Sequence, residues 1–291
     1  MQNNTNVSLY REPNHHPDLF RRAEMRTFKT YDKGDVLPDD YKKALINLMC
    51  FQADSEYAGA QRVAENHRYA TRPEEAYRLS KKVFEEMGHG FYVWNLLQEL
   101  GVDVDARLYE LSHNPDNPDP KKVNVINGFR KENWSKFFEC WEDVALFSTV
   151  VTPAAVAFLG QYRDCSYLPW ARVNVRIHKE EHGHLAFGVW ASKRCIEFGG
   201  EKTREFMQTR IPKFMQMGLG FYGRPSAGDK KSQMFDIYYE YGIKVKKPEE
   251  LQAEYMELLE SRLKDVGLVV PAGIEADYDM RMGYEAEEAA A

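Results

Sequence analysis

Cysteine is scarce in this chain. There are four among 291 residues, Cys50, Cys140, Cys165 and Cys195, each far from the next. None has the spacing of a zinc site or of a ferredoxin-type cluster, so they read as reduced thiols in helices, as expected for a cytoplasmic protein. No Gly-x-Gly-x-x-Gly fingerprint is present, so the chain cannot draw electrons from NAD(P)H by itself. No apolar run approaches the length needed to span a bilayer. The first twenty residues lack the basic-then-apolar order of a secretory signal. An excess of one charge is missing as well. The 39 Lys and Arg and 45 Asp and Glu are mixed along the chain, for a net charge of −6. That balance argues against a nucleic-acid partner or an anionic membrane surface.

What the chain does have is helical periodicity. Hydrophobic residues make up 43% of it, enough for one large domain or two small ones. Residues 1–36, broken by Pro13, Pro17 and Gly34, read as an irregular arm suited to lie on a partner, with His15 and His16 in a surface loop. Pro38, Asp39 and Asp40 open a first helix, expected to run to about Ala70, with the stripe Leu45, Met49, Ala53, Glu56, Ala60 and Val63. A second helix is expected from Pro73 to Leu100, stopped by Gly101, with the stripe Leu79, Val83, Glu86, Gly90, Val93 and Leu97. Residues 102–130 hold a loop, HNPDNPDPKK, too rich in proline and aspartate to be regular. A third helix is expected from near Glu132, with Phe137, Trp141, Ala145, Ser148, Thr152, Ala155 and Leu159 on its stripe and no acid. Pro153 should kink or restart it, with Thr152 as N-cap.

A fourth helix is expected after SYLPWARV, with the stripe Val173, Ile177, Glu181, His184, Gly188, Ala191, Cys195 and Phe198, ended by Gly199 and Gly200. Helices over 202–216 and 248–266 should follow. Between them lie a plain turn containing RPSAGDKK and an aromatic segment whose Phe235, Tyr238, Tyr239 and Tyr241 read as packing. The fold class is therefore all-α, a four-helix bundle with additional C-terminal helices over 37–270, and a loose acidic and Ala-rich tail at 271–291.

The chemistry lies where acids interrupt these stripes. A carboxylate aimed into a core costs several kcal/mol unless partnered. Glu56, Glu86 and Glu181 each sit on an apolar stripe, and His89 and His184 follow the latter two at i+3, on the same helical face. Two Glu-x-x-His pairs on separate helices, with a third inward Glu, are the side-chain set of a carboxylate-bridged di-iron or di-manganese centre. The competing expectation is a set of buried salt bridges, but the stripes supply no matching buried cation. His182 should point about 100° away from Glu181. His178 reads either as an ordinary half-buried histidine or as an added ligand, and His67 and His113 have no evident partner.

Several stretches resemble the catalytic subunits of ring-1,2-phenylacetyl-CoA epoxidases, in the phenylacetic acid catabolic family of multicomponent monooxygenases, and more distantly benzoyl-CoA epoxidase. They are LPDDYKKALINLM with Ser55-Glu56, EEMGHG at 85–90, WEDVAL at 141–146, CSYLPWARV at 165–173, RIHKEE at 176–181, and GIKVKKPEELQ with GLVVP near the end, spread over 37–271. The resemblance implies a ferritin-like bundle holding two Fe ions, with Mn or mixed Fe/Mn as variants. Glu56 and His89 match terminal ligands of one metal and His184 of the other; Glu86 and Glu181 match bridging carboxylates. The family's sixth ligand is an aspartate, and its position here is Thr152, while Asp143 matches a non-ligand aspartate. Two Fe(II) and four carboxylates are formally neutral; with Thr152 the set is +1.

The implied activity is O2-dependent oxygenation of an aromatic or acyl-CoA-type substrate, with Glu86, Glu181 and Thr152 at the reacting centre. The implied partners are a separate reductase and a related helical subunit. The alternatives are a non-catalytic structural subunit of such a complex and a metal-storage protein.

Overall fold

The computed structural model describes residues 27–113, 137–222 and 233–276. His15, His16 and the RPSAGDKK turn lie outside these residues, as does the side chain of His113. The fold is all-α and ferritin-like. Among the described residues the sole β feature is an isolated bridge joining Tyr31 to Tyr167. Helix α1 is Asp39–Glu65, extended by a 3₁₀ turn, Asn66–Tyr69. Helix α2 is Pro73–Glu99. A short α3, Val104–His113, follows. Then come α4, Trp141–Leu146, a π-helical turn, Phe147–Val151, and α5, Thr152–Gly160. Helix α6 is Leu168–Gly220, α7 is Gln233–Glu240 and α8 is Pro248–Val266.

The first two helices form an antiparallel hairpin, with His67 against Ser80 at one end and Asp54 against Trp94 near the other. Helix α6 runs antiparallel to α2, from His89–Glu180 to Arg78–Trp190, and antiparallel to the α4–α5 rod. These four rods enclose the stripes read from the sequence. Leu45, Met49, Ala53, Leu79, Val93, Leu97, Ile177 and Ala191 are all fully buried. Helix α8 covers α5 and α6, while α7 packs on α1 through the Asn47–Tyr238 hydrogen bond. The aromatic segment is indeed packing: Tyr238 is buried, and the Tyr239 and Tyr241 hydroxyls bond to Lys246 O and Asp40.

Several local expectations fail for identifiable reasons. Residues 104–113, for which no element was expected, form a helix ahead of the HNPDNPDPKK stretch, because Asp103 caps the start by accepting the Ala106 amide at 2.9 Å. Among the described residues the third rod begins at Trp141, with Cys140 before it extended (φ −154°, ψ 175°); the expected start near Glu132 lies outside the described residues. Thr152 does not cap; it is itself helical, and its flanking turn is continuous. Pro153 has no N–H for the carbonyl four residues back, and the wider π turn just before it accommodates the ring without ending the rod. The fourth helix starts at Leu168, inside SYLPWARV rather than after it. It breaks where expected, at Gly200 (φ 66°, ψ −152°), but the second limb reaches Gly220 and not 216.

The apolar content of the third rod also exceeds the expectation. Trp141–Asp164 spans 24 residues and holds an 18-residue stretch of mean hydropathy 1.6, long and apolar enough to cross a membrane by length and composition, yet 89% of that stretch is buried inside the bundle.

Gly188 fixes the distance between α6 and the π turn. A β-carbon there would lie 2.4 Å from the Ser148 carbonyl carbon and 2.6 Å from Thr149 N. The contact is completed by a 2.9 Å Thr149–Ser192 hydroxyl hydrogen bond. Gly188→Ala should therefore destabilise by about 1–3 kcal/mol, as overpacking against backbone does. Gly59→Ala, in α1 with nothing within 4 Å, should instead gain up to about 1 kcal/mol. Urea unfolding of the two variants should move the midpoint in opposite directions.

Candidate metal centre

Three rods deliver the five expected side chains to one place. Glu56, Glu86, His89 and Glu181 bring ligand atoms within 4.8 Å of one another. His89 Nδ1 lies 3.6 Å from Glu56, 3.8 Å from Glu86 and 3.4 Å from Glu181. His184 Nδ1 lies 3.2 Å from Glu86 and 3.3 Å from Glu181. Glu86 and Glu181 thus sit between two imidazoles whose centroids are 5.6 Å apart. Glu56 belongs to the His89 side. His89, Glu181 and His184 are 0%, 3% and 1% exposed.

Both His89 Nδ1 and His184 Nδ1 are buried without a hydrogen-bond partner. Buried polar atoms are rarely left so. Two bare ring nitrogens facing a shared set of carboxylates fit a pair of transition-metal cations, which take imidazole and carboxylate together. The far side of each ring is occupied. His89 Nε2 is 3.0 Å from Glu180, and His184 Nε2 is 3.2 Å from Glu85. Glu56 is backed by Gln52 at 3.5 Å, which in turn accepts from Trp170 Nε1 and donates to Asn174.

Glu85, Glu180 and Gln52 were missed from the sequence. For the two acids a signal existed. Each Glu-x-x-His is preceded by a second glutamate, and the pattern extends to Lys81-x-x-x-Glu85-Glu86-x-Gly88-His89 and Arg176-x-x-x-Glu180-Glu181-x-Gly183-His184.

One expectation is overturned. A buried cation does accompany the stripes: Lys82 is 3% exposed, with Nζ 3.7 Å from Glu86 and donating to Ser148 Oγ at 3.2 Å. Lying one turn before Glu86, it was hidden among the charges at the edge of the stripe. It meets only Glu86 of the three inward carboxylates, so Glu56 and Glu181 are left to the imidazoles of His89 and His184. Thr152 is buried at the start of α5, in the rod whose Ser148 meets Lys82.

Other histidines stay away. His178 packs on Gly160 and against the His182 ring, and His182 is exposed. His67 has partners after all, the Ala64 carbonyl and Ser80. Asp143 is fully buried and clamped by Arg210 of the second α6 limb at 2.6 and 2.9 Å, a structural pair outside this cluster.

Burial raises the Glu56 carboxyl to about 7 against the pull of His89. Burial also pushes Glu86 and Glu181 up, but the facing imidazoles more than offset it, and both end below the usual range. Burial opposes charging of the rings, yet the surrounding carboxylates hold His89 well above its usual value and His184 up to about 10. The acids thus hold both rings toward their charged form, and the rings in turn offset the burial of Glu86 and Glu181.

The pH dependence of stability follows from linkage. A raised histidine contributes stability that is full below 6.5 and is lost as pH climbs through about 10; a raised Glu56 likewise loses stability between 4.5 and 7. Chelator-treated protein should therefore melt at lower temperature at pH 9 than at pH 6, by calorimetry. Metal binding must displace these protons, so the shift on adding Mn(II) should be larger at pH 9. A pH-independent melting difference would contradict this assignment.

A family model described as phenylacetic acid catabolic protein matches residues 25–289. Among curated proteins, the chain is 25% identical over 244 residues to one of the polypeptides that make up the 1,2-phenylacetyl-CoA epoxidase of Escherichia coli (strain K12), covering 81% of this chain and 72% of that protein. With the family match spanning all of the described helices, the chain belongs to the phenylacetic acid catabolic protein family.

Proposed function

We propose that this chain is the di-iron component of a multicomponent monooxygenase that oxidises an aromatic or acyl-CoA-type substrate with O2. The observation that carries this reading is the pair of unbonded, buried imidazole nitrogens facing three inward carboxylates. Iron, or manganese in its place, would supply the redox chemistry of oxygen activation when bound. The chain's residues set its conditions. Glu56 and His89 would hold one metal and His184 the other, and Glu86 and Glu181, each within 3.8 Å of both imidazoles, are placed to serve either. The closed rods keep bulk water from the centre, where the residues are 14% exposed or less.

Thr152 supplies no anion, so the His184 side carries one protein charge fewer than a four-carboxylate centre. That deficit favours an exogenous anion there: hydroxide or an acidic group of the substrate. Electrons come from a separate reductase, since the chain has neither a nucleotide fingerprint nor a cysteine cluster of its own. The relative is named as one subunit of an epoxidase, which supports assembly of this chain into a complex; a related helical subunit as partner and a cytoplasmic location belong to the same proposal.

A second reading rests on Thr152 and Lys82 together. With one carboxylate absent and an ammonium beside Glu86, the His184 side would hold no metal and the chain would be a structural subunit. Anomalous diffraction at the iron and manganese edges separates the two. Two peaks about 3.5–4 Å apart are expected; one or none favours the structural role. Thr152→Asp should tighten the second metal, and unchanged stoichiometry and affinity would show that this position does not face the centre. With iron loaded and a reductase present, O2 uptake should require an aromatic acyl-CoA; uptake indifferent to substrate would point to metal storage.

A further inference from the structure

We propose that the cavity beside the break in α6 is a binding site for a small organic phosphate monoester, separate from the metal cluster and independent of the metal reading. The two places lie far apart along the rods. Arg72 stands 14 positions before Glu86 on α2, and Arg194 stands 13 positions after Glu181 on α6. At 1.5 Å per residue, each arginine is about 20 Å from the cluster along its own helix.

Because α2 and α6 are antiparallel, both offsets lead to the same end of the bundle. There the cavity measures about 510 Å³, within the ordinary size of a small-molecule site. It lies where α6 breaks at Gly200 (φ 66°, ψ −152°). Three arginines line it, Arg68, Arg72 and Arg194. Arg72 and Arg194 stack on one ring, Phe198, at 3.3 and 4.5 Å from its centroid, and Arg68 lies 5.1 Å from the Tyr69 centroid. Stacking restrains a guanidinium plane and leaves its N–H edge available. Among the described residues Arg68 and Arg72 form no ion pair, and Arg194 meets only the exposed Glu197, at 3.4 Å.

The acids that also line the cavity are already engaged. Glu75 accepts the Thr71 and Arg72 amides at 3.0 and 3.1 Å, Glu139 lies 3.3 Å from Arg210, and Glu142 accepts from the Cys140 thiol. What is left over is donors. Trp141 lines the cavity as well; it is 8% exposed, and its buried indole N–H has no acceptor among the described residues. Buried donors are rarely left so. Guanidinium forks match phosphate oxygens two at a time, and several around one space favour a dianion over a single carboxylate. The rings of Tyr69, Trp141 and Phe198 supply an apolar wall, so the phosphate carries an aryl or nucleoside body.

Calorimetric titration of the full chain with phenyl phosphate, AMP and inorganic phosphate tests the site, both in metal-loaded protein and in chelator. Phenyl phosphate or AMP should bind one to one, and the tighter of the two identifies the body as aryl or nucleoside. Inorganic phosphate, lacking an apolar body, should bind roughly tenfold or more weakly. Arg72→Ala and Arg194→Ala should each weaken the organic phosphate about 10–100-fold. Arg72→Lys keeps the charge without the fork and should recover part of that loss. Trp141→Phe keeps the ring, removes the N–H and should lose affinity without the loss of fold that circular dichroism would detect. Cys140, in the cavity wall, should be alkylated by iodoacetamide more slowly when phenyl phosphate is present, as mapped by mass spectrometry. If an alanine variant does not fold, Arg72→Lys and Trp141→Phe report in its place. No binding at millimolar phenyl phosphate and AMP, or binding that the arginine and tryptophan variants leave unchanged, overturns the site. Binding that disappears in chelator puts the phosphate on the metals and overturns it too. Binding that persists in chelator supports the site even if the metal reading fails.

Discussion

The bundle depends on the neutralisation of acids that it turns inward. Glu56, Glu86 and Glu181 are placed on apolar stripes where a bare carboxylate costs several kcal/mol. It is offset by the basic groups turned toward them: His89 beside all three acids, His184 beside Glu86 and Glu181, and Lys82 beside Glu86. The rods can close tightly around the cluster because the compensating charge arrives with it. The same constraint explains why every histidine in the cluster is braced from behind and why Gln52 backs Glu56. A ligand free to rotate would leave its anion uncompensated.

The rest of the fold holds these rods at the right separation. Gly188 lets α6 lie against the backbone of the π turn. The Asp143–Arg210 pair ties the start of α4 to the second limb of α6, and the bridge from Tyr31 to Tyr167 fastens the chain before α1 to the start of α6. These contacts sit away from the cluster, yet they set the spacing of the helices that deliver its ligands.

Much of this was legible in the sequence because helical period and burial speak the same language. Stripes at i, i+3 and i+4 identified the inward acids, since a glutamate between Ala53 and Ala60 has nowhere else to point. What was illegible was whatever depends on a neighbouring rod. Lys82 lies at the edge of its stripe, and only the approach of Ser148 makes that edge an interior. Glu85 and Glu180 look like solvated charges until the opposite histidine is placed. The π turn has no compositional mark beyond Pro153, and the helix at 104–113 hinged on a single capping aspartate that a proline-rich neighbourhood obscured.

The π turn has a consequence for how this scaffold can change. Widening one turn rephases everything after it, so the face that α5 presents inward is set by residue count as much as by residue type. Removing a single position between 147 and 151 would rotate the downstream helix by roughly 100° and turn a different set of α5 side chains toward the other rods. The inward face of the third rod is therefore set by its length, while the other three rods keep Glu56, Glu86, His89, Glu181 and His184 together.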